Sequence, residues 1–194
     1  MIVGINRRSL IAAAVAVATA GSVATAPAAA QSAPATVKPT GPLDISRLVR
    51  TALFVSDLEA ATRFYRDTLG LEQVFFQGEF SGPEAGAVLG VPASAKVTFR
   101  ILKAEGMPYG MIGLFHVGGT KLQRVRKKRG SVNIGEGVLV FYMPALDPLV
   151  ERLRTGGWTI VSPPVKIGRS RELMFYGPDD VLINVMERDH RAMP

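Results

Sequence analysis

Arg50 to Leu71, RTALFVSDLEAATRFYRDTLGL, carries the clearest pattern of apolar and polar positions in the chain. Arg50 to Val55 is rich in β-branched and aromatic residues, as a half-buried strand should be. Ser56 is placed to cap a helix, with Glu59 three residues on completing a capping box. Leu58, Ala61, Tyr65 and Leu69 recur at helical spacing and form one apolar stripe. Gly70 stands where a left-handed residue ends a helix. A weaker copy of this unit, VLVFYMPALDPLVERLRTGGWTIV, begins at Val138, about 88 residues on. There Asp147 is the expected cap, Pro148 suits the first turn and Gly156-Gly157 stops the helix.

After each helix the period changes to two. Leu71 to Gln77, Lys96 to Leu102 and Met111 to Val117 read as strands. Val97, Phe99 and Ile101 fall on one face and Lys96, Thr98 and Arg100 on the other. Phe80 to Pro92 is a Gly/Pro-rich excursion with room for one helical turn. Trp158 is expected to start a strand, and Phe175 and Tyr176 to lie either in the core or on a rim. The pattern predicts a duplicated βαβββ module, the first over 45–118 and the second over 138–190.

Composition trims the functional classes. The 194 residues include no cysteine, which excludes disulfides, thiolate metal sites and a thiol nucleophile. There are two histidines, His116 and His190, and no nucleophile elbow, so a Ser-His-Asp triad is not supported. The net charge is +7. Residues 1–30 read as an export signal: Arg7-Arg8-Ser9-Leu10-Ile11 leads into an Ala/Val run, and Ala28-Ala29-Ala30 offers a small-residue cleavage site. The paired arginines are similar to a twin-arginine signal. Cleavage there would lower the net charge to +5 and leave no stable membrane insertion, giving a periplasmic or secreted protein. Residues 31–44 read as a Pro/Ser/Thr linker. The connector at 119–137 gathers Lys121, Arg124, Arg126, Lys127, Lys128 and Arg129. No aromatic platform accompanies them, so we read a solvated connector rather than a nucleic-acid surface.

The chain resembles the glyoxalase/bleomycin-resistance/dioxygenase, or vicinal oxygen chelate, superfamily. The resemblance rests on Val55-Ser56-Asp57-Leu58-Glu59, Phe64-Tyr65, Leu69-Gly70-Leu71 and Gly177-Pro178-Asp179-Asp180, the last standing where the family usually has Asp-Pro-Asp-Gly. It implies an α+β fold in which two modules pair mixed sheets into a cup-shaped open barrel. It also implies a divalent metal held by His, Gln or Glu from the first and fourth strands of each module. The corresponding residues here are Arg50 and Gly113, then Val138 and Asn184. Arginine has no lone pair to offer, and valine and glycine have no donor side chain. The expectation is therefore no metal and no cofactor. His116 remains a recruit only if the fourth strand shifts register; otherwise it is a strand-end residue bonded to backbone.

Alternation then lists the cup. Arg50, Ala52 and Phe54 face inward, with Val138, Val140 and Tyr142, Met111, Gly113 and Phe115, and Leu182, Asn184 and Met186. Arg100 joins them if the third strand turns its polar face in. The candidate ligand-binding set is Arg50, Phe54, Arg100, Phe115, Tyr142, Asn184 and Met186. This is a mostly apolar lining with a few orienting polar groups, and its arginine fork suits an oxyanion. The competing role for Arg50 is a bridge to Glu172 or Glu187. Glu136 and Tyr142 are candidate base and acid for metal-free chemistry. The functional readings left open are a binder of a small, partly apolar anion, a family-type lyase, isomerase or dioxygenase, and an interaction module. A homodimer accords with the family.

Overall fold

The computed structural model describes residues 45–106 and 109–189. The export signal, the linker and His190 lie outside them. The element order is β1 (Arg50–Phe54), α1 (Leu58–Arg63) continued by a π-helical turn (Phe64–Thr68), β2 (Gln73–Phe80), α2 (Pro83–Leu89), β3 (Lys96–Lys103) and β4 (Met111–Gly118). There follow β5 (Val138–Met143), α3 (Asp147–Thr155), β6 (Ile160–Ile167), β7 (Ser170–Tyr176), a 3-10 turn (Pro178–Asp180) and β8 (Leu182–Glu187).

The strands form two mixed sheets with the same internal order, β1-β4-β3-β2 and β5-β8-β7-β6. In each, the first strand runs parallel to the fourth and the other pairs are antiparallel. The ladders match as well: Arg50 pairs with Met111 and Ala52 with Gly113, while Val138 pairs with Leu182 and Val140 with Asn184. The duplicated α+β architecture expected from the sequence is the one observed. The two sheets share no strand pairing, so the barrel is not closed by hydrogen bonds.

One core serves both modules. Ala61, Phe64, Tyr65 and Leu69 from the first helix and Leu149, Val150 and Leu153 from α3 are buried together with Ile112, Leu114, Leu173, Phe175, Ile183 and Val185. Phe64 is the hinge of this packing, its ring 4.4 Å from that of Trp158 and 6.3 Å from that of Phe175. Burying a ring of this size contributes about 1.5–3 kcal/mol. Trp158 therefore belongs to the seam, and the strand begins two residues later. Phe175 and Tyr176 are core, not rim.

The helix starts differ from expectation. Asp57, not Ser56, is the N-cap of α1, its carboxylate accepting from the Ala60 amide at 2.8 Å. Ser56 instead donates through both its amide and its hydroxyl to Asp179, 123 residues away (2.8 and 2.6 Å). Glu59 reaches Arg100 rather than closing a capping box. Asp147 sits inside α3 as its first residue and pairs with Arg171. In each case the side chain is engaged by a tertiary partner instead of the local helix end. Gly70, at φ 93°, ends the first helical segment as expected.

The connector is largely exposed, as expected, but it is tied down at a few residues. Lys127 donates to Glu136 at 2.8 Å and to the Asp180 carbonyl, with side-chain exposures of 16% for Lys127 and 8% for Glu136. Asn133 donates to the same glutamate, and Arg124 and Arg129 pair with Asp179 and Asp180. Arg129 also lies over the Tyr176 ring, 4.7 Å from its centroid. Half of the basic cluster thus straps the connector onto the turn after β7. No helix among the described residues is long and apolar enough to cross a membrane.

Candidate functional site

Each sheet has one face turned to the shared core helices and one turned away from them, the latter covered in the first sheet by α2 and the chain after it at Val97 and Val117 and open at its β1 side. In β1 the helix-side residues Leu53 and Val55 join the core, while Arg50, Ala52 and Phe54 are exposed. In β5, Val140 and Tyr142 are likewise exposed. The inward and outward sets predicted by alternation hold along β1, β4, β5 and β8. What the sequence left undecided is that within one chain the cup side stays open.

On the first open face, Phe54, Phe115 and Phe99 form a row across β1, β4 and β3. Centroids are 5.9 Å apart for Phe54 and Phe115 and 5.6 Å for Phe99 and Phe115, the latter pair stacked at 20°. Phe76 and Phe80 from β2 pack against Phe99 at 5.5 and 5.8 Å. Gly113 leaves the space this arrangement occupies: a β-carbon there would lie 2.8 Å from the Phe115 ring and 3.4 Å from Arg50 Cδ. Arg50 and Phe115 therefore meet over a glycine. Both of the carboxylates proposed to neutralise Arg50 are engaged elsewhere. Glu172 accepts from Asn184 at 3.3 Å, and Glu187 accepts from Arg171 at 3.2 Å and from the Leu146 amide at 3.1 Å. Among the described residues Arg50 has no ion-pair partner.

On the second open face, Asn184 is nearly buried and donates to Glu172 and to the Leu173 carbonyl. Met186 lies two residues further along β8, opposite Tyr142 of β5, and Arg188 sits 5.5 Å from the Tyr142 ring centroid.

Arg100 departs from the expected set. Its guanidinium donates to both carboxylate oxygens of Glu59 (3.0 and 3.1 Å), to the Thr62 hydroxyl and to Gln77. Glu59 and Thr62 belong to α1, so Arg100 faces the helix and is absent from the open face. The polar side of β3 is polar because a helix covers it. Glu136 is removed as a candidate base, because Lys127 first and Asn133 second hold its carboxyl below the usual glutamate range in the strap. His116 lies on the helix side, with Nδ1 3.2 Å from the Val55 carbonyl oxygen. That oxygen only accepts, so Nδ1 carries the proton there, and the helix-side position keeps His116 off the open face.

The matching ladders fix which residues occupy equivalent places in the two modules: Arg50 corresponds to Val138, and Gly113 to Asn184. Among the described residues no group of three or more His, Asp or Glu side chains comes together. Of those four residues only Asn184 carries a side-chain atom that could ligate a divalent ion. Sequence reading missed three groups on the open faces. Phe99 and Phe76 were visible as aromatics but needed the register to place them, and Glu172, one of two carboxylates considered as a bridge to Arg50, accepts from Asn184.

With this geometry in place, residues 47–185 match the model of the Glyoxalase/Bleomycin resistance protein/Dioxygenase superfamily. The chain belongs to this superfamily. No curated protein sequence matches it. Among solved structures, a glyoxalase family protein from Bacillus cereus superposes with a TM-score of 0.63 at 20% identity, covering 77% of this chain and 97% of that one. A point mutant of glyoxalase I from Zea mays gives 0.54 at 15% identity, covering 73% of this chain. The superfamily member described here spans 45% of that maize chain. The trypanothione-dependent glyoxalase I of Leishmania major gives 0.50 at 17% identity, covering 73% and 86%. At these identities the likeness speaks for the fold.

Proposed function

We propose that this superfamily member is exported and binds a small, partly apolar anion without the family's metal, and that a second copy of the chain covers the open sheet faces. The observation that carries the reading is Arg50. It occupies a place where the family puts a metal ligand, is exposed, has no carboxylate partner among the described residues, and stands beside a phenylalanine wall. A planar guanidinium there offers an oxyanion two parallel donors. Phe54, Val140 and Tyr142, exposed at 48%, 57% and 39%, favour a covering partner, since contiguous apolar faces are seldom left to water. Arg7-Arg8 and Ala28-Ala29-Ala30 support export through a cleaved signal.

A second reading makes the protein a metal-free lyase or isomerase. Glu172, a half-buried carboxylate oriented by Asn184 on the open face, replaces Glu136 as its base.

Elemental analysis and thermal shift test the first reading together. The purified chain should hold no stoichiometric Fe, Mn, Ni or Zn, and small carboxylates should raise its melting temperature but not that of Arg50→Gln. About one metal ion per chain would overturn the metal-free site. Equal response of both proteins would overturn Arg50 as the anion clamp.

A further inference from the structure

We infer that the ligand of the first module is an aromatic monocarboxylate, with its ring on the phenylalanine wall and its carboxylate on Arg50. This rests on the anion-binding reading above and narrows it to one chemical class.

Register places the groups in rows across the sheet. Arg50 and Met111 share one row; Ala52, Gly113, Ile101 and Phe76 the next; Phe54, Phe115 and Phe99 the third. The aliphatic members of this face, Val97, Ile101 and Met111, are buried at 3% exposure or less. Phe54, Phe76 and Phe80 are the large apolar side chains that remain exposed on it. The surface offered to a ligand is therefore aromatic, and its rings lie at the 5.5–5.9 Å spacing at which aromatic pairs attract. A further ring extends that array, whereas an alkyl chain gains only area.

Among the described residues Arg50 is the cation on this face without an ion-pair partner. Lys103, at the end of β3, donates its ammonium to the Gly106 carbonyl at 2.7 Å and lies over the Phe75 ring. Arg50 leans toward Gly113, and so does the Phe115 ring. Arg50 Cδ and the Phe115 ring thus flank the same space above Gly113, so the arginine side chain borders the wall. One anionic group joined directly to a flat ring matches this arrangement. A dianion would lack its second partner.

Isothermal titration calorimetry of the purified chain with 2-naphthoate, octanoate and 2-naphthol tests the assignment. We expect 2-naphthoate to bind at least about tenfold more tightly than either of the others. Arg50→Gln should weaken 2-naphthoate by about tenfold or more and leave 2-naphthol unchanged. Phe99→Leu should weaken 2-naphthoate and spare octanoate. Arg50 is exposed, so circular dichroism of Arg50→Gln should match the parent and exclude misfolding. Octanoate binding as tightly as 2-naphthoate would overturn the aromatic assignment and leave the anion reading standing. Binding of neither carboxylate, or a 2-naphthoate affinity indifferent to Arg50→Gln, would overturn both.

Discussion

Asp179 joins the two modules through one carboxylate. Its oxygens accept the Ser56 amide at 2.8 Å and hydroxyl at 2.6 Å, and Arg124 approaches to 2.9 Å. Its backbone is left-handed, at φ 54°, followed by Asp180 at φ 61°. Asp179→Ala removes the carboxylate and keeps the unfavourable backbone. A hydrogen bond to a charged group contributes about 1.5–3 kcal/mol, and Ser56 is exposed, so water recovers part of each and the low end applies. The Arg124 side chain is 67% exposed, and its ion pair adds about 0.5 kcal/mol or less. Alanine in the left-handed region costs about 1 kcal/mol, without the local bonding that makes aspartate tolerable there. The expected loss for Asp179→Ala is about 4–4.5 kcal/mol. Asp179→Gly loses the same contacts but relaxes the backbone, giving about 3–3.5 kcal/mol. Asp179→Asn keeps an acceptor oxygen and left-handed tolerance, giving about 1 kcal/mol. Urea unfolding followed by circular dichroism measures all three, and unchanged m-values would show that the folded and unfolded states remain comparable. Equal losses for Ala and Gly would refute the backbone argument. A loss below about 0.5 kcal/mol for Ala would refute the claim that this carboxylate holds the seam.

Two further outcomes follow from buried and paired groups. The Tyr65 hydroxyl is buried without a hydrogen-bond partner among the described residues, and burial, then the charge of Asp179, raises its pKa. Tyr65→Phe should therefore leave stability unchanged or raise it, and a loss above about 1 kcal/mol in the same urea assay would show a satisfied hydroxyl. Glu136 titrates below the ordinary glutamate value of 4.5, first through its hydrogen bond from Lys127. A depressed carboxylate stabilises the fold above its unfolded value, and the contribution is lost as pH falls from about 4.5 through the folded value. Melting temperature against pH should fall less steeply on that acid limb in Glu136→Gln than in the parent, and parallel curves would refute the strap's role.

The periodicity of the chain was enough for the duplicated module, for the helical stripe of Ala61, Tyr65 and Leu69, and for the two faces of β1, β4, β5 and β8. These depend on spacing alone, since alternation sets a strand's two faces and a 3.6-residue period sets a helix's stripe. Arg50, Phe54, Phe115, Tyr142, Asn184 and Met186 were placed on the open faces by that rule. It failed for Arg100, because whether the polar side of β3 meets solvent or a helix is decided by where α1 packs. It also failed for the caps. Ser56 and Asp147 can satisfy a helix end locally, but residues far away in sequence offered them charged partners.

The connector shows the same division. Composition revealed a cluster of basic residues; only the fold supplied Asp179, Asp180 and Glu136 to receive three of them. Likewise, nine phenylalanines are visible in the chain, yet the wall exists because register brings Phe54, Phe115 and Phe99 into one row and Gly113 leaves room for Arg50 beside it. Local patterns determine which way a side chain points from its own element. What it meets there depends on contacts between elements distant in sequence, and packing alone decides those.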